Sequence, residues 1–561
     1  MGARASGGRL RAAAQAFADS ARNPAVRRIQ LGFAGACTAE WTFTVVLSVY
    51  AYNQGGAKAV GLVSLLRMLP SALAAPFLSA AADRWRRDHV LTLVSTTRCL
   101  SSLAIAIIVA AGGQPTGVYA LAIVSTAAAI LYRPVNSALL PLLCHTPAEL
   151  ASANVVRGLL DSIATLVGPA IAAALLIGDS TSAGFFAVAA LAALSALVTM
   201  SLRVEEPEQQ SARVSVLRGL VVGARVSLGS GQMRMMLTLL AAQVASRGAL
   251  SVFSVLVAVN LLDLGEAGAG TLTSAVGAGA IVGSLFASMF VGTRRLAVWF
   301  GAGVALWGAP MIVLALLPHT ATALSMMALL GVGNALVDVG LFTLVARLVP
   351  ERTLGRVFGL LECVGGLAVG GGSVLAAWLA ASDLREALWL VGALGPAVVL
   401  IFWFPLRRLD DTMTARDEDL ALLQRVDVFD ALPLPALEQL ASGLRPTQVG
   451  AGQELMRQGT HGPHGCYVIE SGDAEVLGDG TPIATVGPGD LVGEIALLRR
   501  VPRTATVRAL TDMDLQFLEA DRFLRVVNGW ESTRELSSGH VDELLDRFRP
   551  ADGSPDATGA G

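Results

Sequence analysis

Within its first 411 residues the chain returns again and again to stretches of some twenty apolar residues, and that recurrence limits what it can fold into. A hydrocarbon layer of ~30 Å is crossed by about 20 helical residues. Lipid offers no partner to a free backbone N–H or C=O, so an unbroken helix is the form such a stretch takes. Twelve can be placed, at 30–52, 58–81, 89–111, 117–141, 153–177, 182–202, 235–262, 268–292, 296–317, 321–347, 355–380 and 386–406. A soluble core helix imitates one or two of these, not a dozen. The expectation is an all-α membrane bundle of 12 transmembrane helices. Only 15% of the 561 residues are charged, against about a quarter in soluble chains, which excludes one soluble domain or a disordered protein.

The net charge of −2 hides a division. Residues 1–411 carry 28 Lys/Arg against 19 Asp/Glu, and residues 412–561 carry 13 against 24. In the first part the Arg residues fall in alternate connections. One side holds Arg84, Arg86 and Arg87, then Arg203, Arg213, Arg218 and Arg225, then Arg294 and Arg295, then Arg347, Arg352 and Arg356, and finally Arg407 and Arg408. The other side, at 112–117, 178–182, 263–268 and 318–322, has no Arg or Lys; Lys58 and Arg385 alone break the pattern. Basic loops stay in the cytoplasm, so both termini are expected there. The apolar stretch after the basic residues 1–28 is too long for a signal peptide and reads as a first span. With Arg used almost to the exclusion of Lys, a GC-rich bacterial genome and a bacterial plasma (inner) membrane are expected.

The long connection 203–234 separates six spans from six, and both second spans open on a Gly (Gly61, Gly270) and close on paired Arg. Two six-helix repeats suggest a transporter that rocks about a midplane site. The string SAAADRWRRDHVL (79–91) resembles the G-x-x-x-D-R-x-G-R-R loop of the major facilitator superfamily: Asp83 and Arg84 match, while Ser79 and Arg86 stand at the Gly positions. The resemblance implies that Asp83, with its basic neighbours, steadies one conformer during alternating access. LVGPAIAAALL (166–176) resembles the G-P-x-x-G-G motif of the drug-antiporter branch, with Gly168 and Pro169 kept and Ala172 and Ala173 in place of the Gly pair. Residues 133–156 look like siderophore- or lysolipid-exporting permeases.

Ionisable residues inside spans cost a few kcal/mol each on insertion scales and are functional candidates for that reason. Glu40 beside Trp41, Arg98, Arg247 and Asp338 fall mid-span; Arg67, Arg133, Arg157, Asp161 and Glu362 lie nearer span ends. A buried carboxyl can carry a proton, so Glu40 and Asp338 are the coupling candidates. Arg98 and Arg247 are placed to pair with them or to meet an anionic substrate. Interhelix salt bridges are the alternative for each.

After Arg408 the pattern changes. Residues 412–445 read as helical, and from Thr447 the hydrophobic period shortens toward two, with turn residues every eight to twelve positions. That is the signal of an antiparallel β sandwich or jelly roll; helical spacing returns at 521–549. LVGEIALLRRVPRTATVRA (491–509) resembles the phosphate-binding cassette of cyclic-nucleotide-binding domains, G-E-x-A-L-x(4)-P-R-x-A-T-V. The resemblance implies a site made of Gly493, Glu494, Ile495, Ala496, Arg503, Thr504 and Ala505. Gly493 would let the backbone turn close to the ligand, Arg503 would fork onto the phosphate, and Glu494 would accept the ribose 2′-hydroxyl. Thr504 leaves cAMP against cGMP open; Trp530 or Phe548 is within reach of stacking on the base, though a place in the core is the favoured reading for each.

The division expected is a cytoplasmic segment (1–28), a first membrane half (29–202), a basic linker (203–234), a second half (235–408), a cyclic-nucleotide-binding domain with a linker helix (409–550) and a disordered tail (551–561). The five cysteines (Cys37, Cys99, Cys144, Cys363 and Cys466) are widely spaced and form no metal-ligand pattern, and no nucleophile–His–acid set or Walker loop occurs. No catalysis, metal, cofactor or nucleic acid is therefore expected. The partners implied are a small-molecule substrate, a cyclic nucleotide and the lipid bilayer. The reading is a proton-coupled exporter regulated by cAMP or cGMP. Its alternatives are a membrane receptor that moves nothing and a transporter whose jelly roll is a ligand-free assembly module.

Overall fold

Proline and asparagine fix the start of the first membrane helix. Helix α1 (Pro24–Ala82) opens on a proline, whose missing N–H has no intrahelical partner to lose at that position. The Asn23 Oδ1 caps it, accepting from the Ala25 and Val26 N–H groups at 3.0 and 3.3 Å. The Asn23 amide donates to the Leu143 carbonyl and to Glu149 Oε1 at 2.9 and 2.7 Å, so one side chain fastens three helix ends. This computed structural model describes residues 23–528 apart from 83–84, 145–146, 179, 203–215, 291–294, 350, 427–428, 430–431, 433, 442 and 461–464. Asp83, Arg84, Trp530 and Phe548 lie outside the described residues.

The chain forms two compact units, Met1–Asp410 and Asp411–Gly561. In the first, α1 is followed by α2 (Arg87–Ala110), α3 (Pro115–Leu143), α4 (Pro147–Leu176) and α5 (Thr181–Met200). Then come α6 (Val216–Gly229), α7 (Gly231–Leu256), α8 (Gly265–Phe290), α9 (Leu296–Leu306), α10 (Ala309–Leu316), α11 (Thr320–Leu348), α12 (Glu351–Ala380) and α13 (Leu384–Ile401). Eleven helical stretches among the described residues are long and apolar enough to cross a membrane. One of them, in α1, leaves helical geometry at Gly55 and Gly56, where φ of +62° at Gly56 is open to glycine at little cost. The kink divides that stretch into two arms. Large apolar side chains such as Leu73, Leu100 and Leu197 are 60%, 60% and 65% exposed, a surface that suits lipid rather than water.

Three expectations gain detail. The span placed at 296–317 is two helices, broken at Trp307–Gly308, with Pro310 in the first turn of α10. The linker 203–234 is not all connection: α6 occupies 216–229, and a Cβ at its Gly223 would lie 2.6 Å from the Arg356 carbonyl of α12. The last membrane helix stops at Ile401, and a new helix, α14 (Trp403–Leu423), starts before the expected boundary at 409.

Glycines draw the two halves together along two seams. A Cβ at Gly270 of α8 would lie 2.6 Å from the Pro169 carbonyl and 2.7 Å from the Ala173 N of α4. At Gly61 of α1 it would meet Ala377 and Ser373 of α12 at 2.6 and 2.9 Å. Both approaches lie toward the Arg-poor end of the bundle, where Tyr52 donates to Asn260 at 2.8 Å and Asn53 to Glu266 at 2.7 Å. At Gly158, Gly355 and Gly359, toward the Arg-rich end, a Cβ would meet nothing within 4 Å. The seam is closed at the Arg-poor end.

The second unit carries α15 (Leu434–Ala441), eight strands, α16 (Glu494–Arg499) and α17 (Ala520–Asn528). The strands are β1 (Arg445–Val449), β2 (Glu454–Met456), β3 (Gly465–Ser471), β4 (Ala474–Gly478), β5 (Thr481–Val486), β6 (Leu491–Val492), β7 (Thr506–Ala509) and β8 (Met513–Glu519). They form two antiparallel sheets, β1-β8-β3-β6 and β2-β7-β4-β5, around Ile469, Val492, Val507 and Leu515. Asp479 and Gly480, both at positive φ (50° and 83°), make the two-residue β4–β5 hairpin, matching the Asp-Gly signal in the sequence. Phe429 meets Phe523 of α17 edge-on, ring centroids 6.2 Å apart, and locks the helical layer over Cys466, Val468 and Leu518.

Candidate functional site

In the second unit, β6 ends at Val492 and the chain turns through Gly493, whose φ is +92°. A side chain there would be strained by that angle and would also strike the Arg503 Nη1. The turn delivers Glu494 to the first position of α16, and Arg500, also left-handed at φ 55°, ends the helix. The chain comes back at Arg503, whose backbone N–H donates to the Thr460 carbonyl and whose carbonyl accepts from Gly459.

Two side chains of opposite charge are held here without being paired to each other. Glu494 is 3% exposed, and its Oε2 has no hydrogen-bond partner among the described residues. Burial pushes its carboxyl up to about 7, against the pull of its own backbone N–H and of the Arg503 charge. Arg503 is buried too, and it donates from Nη1 to the Gly493 carbonyl at 2.8 Å and from Nη2 to the Gly465 carbonyl at 2.7 Å. That burial lowers its guanidinium from the ordinary value. An unpartnered buried carboxyl oxygen costs about 1–3 kcal/mol or more. A hydroxyl donor would relieve that cost, and an anion would offer the guanidinium better acceptors than neutral carbonyls. Ala496 is buried in the core, Ile495 and Ala505 are half-buried, and Thr504 is exposed at the rim.

In the first unit, the ionisable residues picked from seven separate helices occupy one layer, 10 to 16 residues from the Arg-rich end of their helices. Arg133 of α3 holds Asp161 of α4 through two hydrogen bonds of 2.9 and 2.8 Å, with its guanidinium over Phe33. Arg98 is buried and donates to the Ala36 carbonyl at 3.1 Å; Arg67 donates to Thr126 at 3.0 Å and lies over Phe43. Both are charges satisfied by α1 and its neighbours. Arg157 donates to Ser137. Arg247 of α7 reaches across to the first half and lies over Trp41, 5.6 Å from the ring centroid. Asp338 of α11 accepts from Asn334 at 2.8 Å and feels the charges of Arg247, Asp161 and Arg133. Glu40 is half-buried and acts on both Arg67 and Arg133.

The Major Facilitator Superfamily model matches twice, at residues 30–256 and 236–442, once over each half of the bundle. The chain belongs to that superfamily. A cyclic nucleotide-binding domain model matches residues 446–529, which contain the whole Gly493–Arg503 turn. As a fold, the bundle is similar to the crystal structure of the nucleoside transporter NupG: 13% identity, TM-score 0.58, 69% of this chain and 100% of that one. An uncharacterized protein of Mycobacterium tuberculosis is 36% identical over 138 residues, 23% of this chain and 27% of its own length. The cAMP-dependent protein kinase regulatory subunit of Yarrowia lipolytica is 30% identical over 118 residues, 21% and 31% of the two chains. The chain thus spans less than a third of the length of these curated relatives.

This superfamily member also uses residues that the sequence pattern did not single out. Asp88, 2% exposed, takes two hydrogen bonds from Arg86 at 3.3 and 2.9 Å and one from its neighbour's backbone. Asp410 of α14 accepts from the Ala297 and Val298 N–H groups at 2.6 and 3.0 Å, capping α9 from 112 residues away. A carboxylate at a helix start is a familiar signal only when it is adjacent in sequence, so this cap was not visible there. The Gly168–Pro169 motif sits where three helices cross: Thr42 of α1 donates to the Gly168 carbonyl at 3.0 Å, and Gly270 of α8 packs on Pro169. The glycine missing at 172–173 has its counterpart on the facing helix.

Proposed function

We propose that the chain is a proton-coupled exporter of a small molecule, set in a bacterial inner membrane with both termini cytoplasmic, whose flux is governed by cAMP or cGMP bound at Gly493–Ala505. The observation that carries the reading is the pairing in one polypeptide of a major facilitator bundle with a turn that keeps Glu494 Oε2 buried and unpartnered beside Arg503. In this reading the nucleotide's phosphate takes Arg503 from its two carbonyls, and its ribose hydroxyl donates to Glu494. Glu40 and Asp338 carry the proton, Arg98 and Arg247 set the field around them, and Asp83 with Arg84 steadies one conformer at the cytoplasmic end. The domains follow the division at 28, 202, 234, 408 and 550. A relative named as a cAMP-dependent kinase regulator favours cAMP.

A nucleotide alters flux only if it binds the transport conformers unequally, and the coupling is then reciprocal. The test is substrate flux in proteoliposomes across a compound panel, with and without cAMP and cGMP. Nucleotide is expected to change flux in the parent chain, and Arg503→Ala is expected to abolish both nucleotide binding and that change. Flux that ignores nucleotide while binding persists sinks the regulatory reading, and absence of flux under every condition sinks transport.

A further inference from the structure

Arg247 is the one guanidinium of the midplane layer with no hydrogen bond to protein among the described residues; only the Trp41 ring lies against it. It is exposed, although it stands 16 residues into α7, deep in the bundle. A guanidinium held over an aromatic ring gives that ring no hydrogen bond, so its N–H groups stay available to fork onto a planar or tetrahedral anion. Leaving such donors bare at membrane depth is costly, so water or a ligand must meet them.

Among the described residues, nothing nearby supplies the missing acceptor. Asp161 acts on Arg247, yet both its oxygens are engaged by Arg133. Asp338 acts on it too, but accepts its hydrogen bond from Asn334. Arg157, which also feels Asp161, has only the Ser137 hydroxyl. Glu40 acts on Arg67 and Arg133, and Glu362, at similar depth on α12, acts on Cys363. Among the described residues, five guanidiniums (Arg67, Arg98, Arg133, Arg157 and Arg247) therefore share a layer with four carboxyls (Glu40, Asp161, Asp338 and Glu362).

We infer that the substrate is an organic anion, its carboxylate or phosphate gripped by the guanidinium of Arg247 with Arg157 as second donor and its body beside Trp41 of α1. This rests on the bundle being a substrate passage and names the class of substrate. Because Arg247 belongs to the second half and Trp41 and Arg157 to the first, the anion bridges the parts that must move.

The test measures binding of two dyes on one xanthene frame, anionic carboxyfluorescein and cationic rhodamine 123, to the full chain in nanodiscs by anisotropy. Benzoate and phenyl phosphate serve as competitors. Carboxyfluorescein is expected to bind and be displaced by them, to weaken about tenfold in Arg247→Gln, and to recover partly in Arg247→Lys, which keeps charge without the fork. cAMP binding and the thermal transition of each variant check that it is folded. Equal or better binding of rhodamine 123, unchanged carboxyfluorescein affinity in Arg247→Gln, or no anion binding at all overturns the inference. Arg247-dependent anion binding without flux in proteoliposomes keeps the anion site and discards transport; flux confined to cations does the reverse.

Discussion

Two arginines show how differently this chain builds its two polar sites. Arg503 is ten residues from the glycine that shapes its turn, and backbone carbonyls hold it on both sides. Arg247 is 206 residues from the tryptophan beneath it, and helix packing alone brings them together. A site folded from one short segment is specified by backbone angles, so a few residue types at fixed spacing describe it. A site gathered from several helices is specified by which helices touch, and any Arg of suitable depth looks alike in the sequence.

If that contrast is right, substitutions should act abruptly in the cassette and by degrees in the bundle. The largest effect is expected for Gly493→Ala. The added Cβ meets both a positive φ and the Arg503 Nη1, and nucleotide affinity should fall on the order of a hundredfold in a cAMP titration. A fall of only a few-fold would mean the turn is not the determinant. Next comes Asp161→Asn, which leaves Arg133 without its charged partner. Flux should drop about tenfold with cAMP affinity unchanged, and Arg133→Gln added to it should restore part of the thermal stability, because a lone charge at membrane depth costs more than a missing pair. Failure of the double variant to recover would point to a role for Arg133 beyond the pair.

The smallest effect expected is a pH dependence. The Glu494 carboxyl is raised from 4.5 to about 7 in the folded chain, so between those values the folded state holds a proton that the unfolded state has given up. The burial penalty is therefore absent below 4.5 and complete above 7, and stability should decline as pH rises through that window. A ribose hydroxyl donating to the carboxylate favours the charged form. Nucleotide affinity should accordingly rise a few-fold as pH passes through about 7, and Glu494→Gln should flatten the profile. A profile that stays sloped in that variant assigns the titration to another group.

Much of the architecture is legible in the residues themselves. Apolar length marks the membrane helices, and Arg placement marks one end of the bundle. The Asp479–Gly480 dipeptide announces its hairpin, and 491–509 announces its turn. The misreadings have local causes. Trp307–Gly308 sits inside an apolar run whose composition does not betray a break, and α6 lay hidden in a stretch read for its charge rather than its period. The Asp410 cap on α9 is invisible for another reason, since a capping carboxylate is recognised in sequence only when it stands beside its helix.

The sequence alone determined which segments enter lipid, which fold in water, and where a glycine, a glutamate and an arginine form a turn with a fixed backbone path, because these follow from hydrophobic length and from local angles. Tertiary structure decided the rest. It closed the seam at the Arg-poor end through Gly61 and Gly270, tied Arg133 to Asp161, and left Arg247 on Trp41 with its donors free. Those outcomes depend on helices packing close enough for one side chain to reach another, and no spacing along the chain encodes that distance.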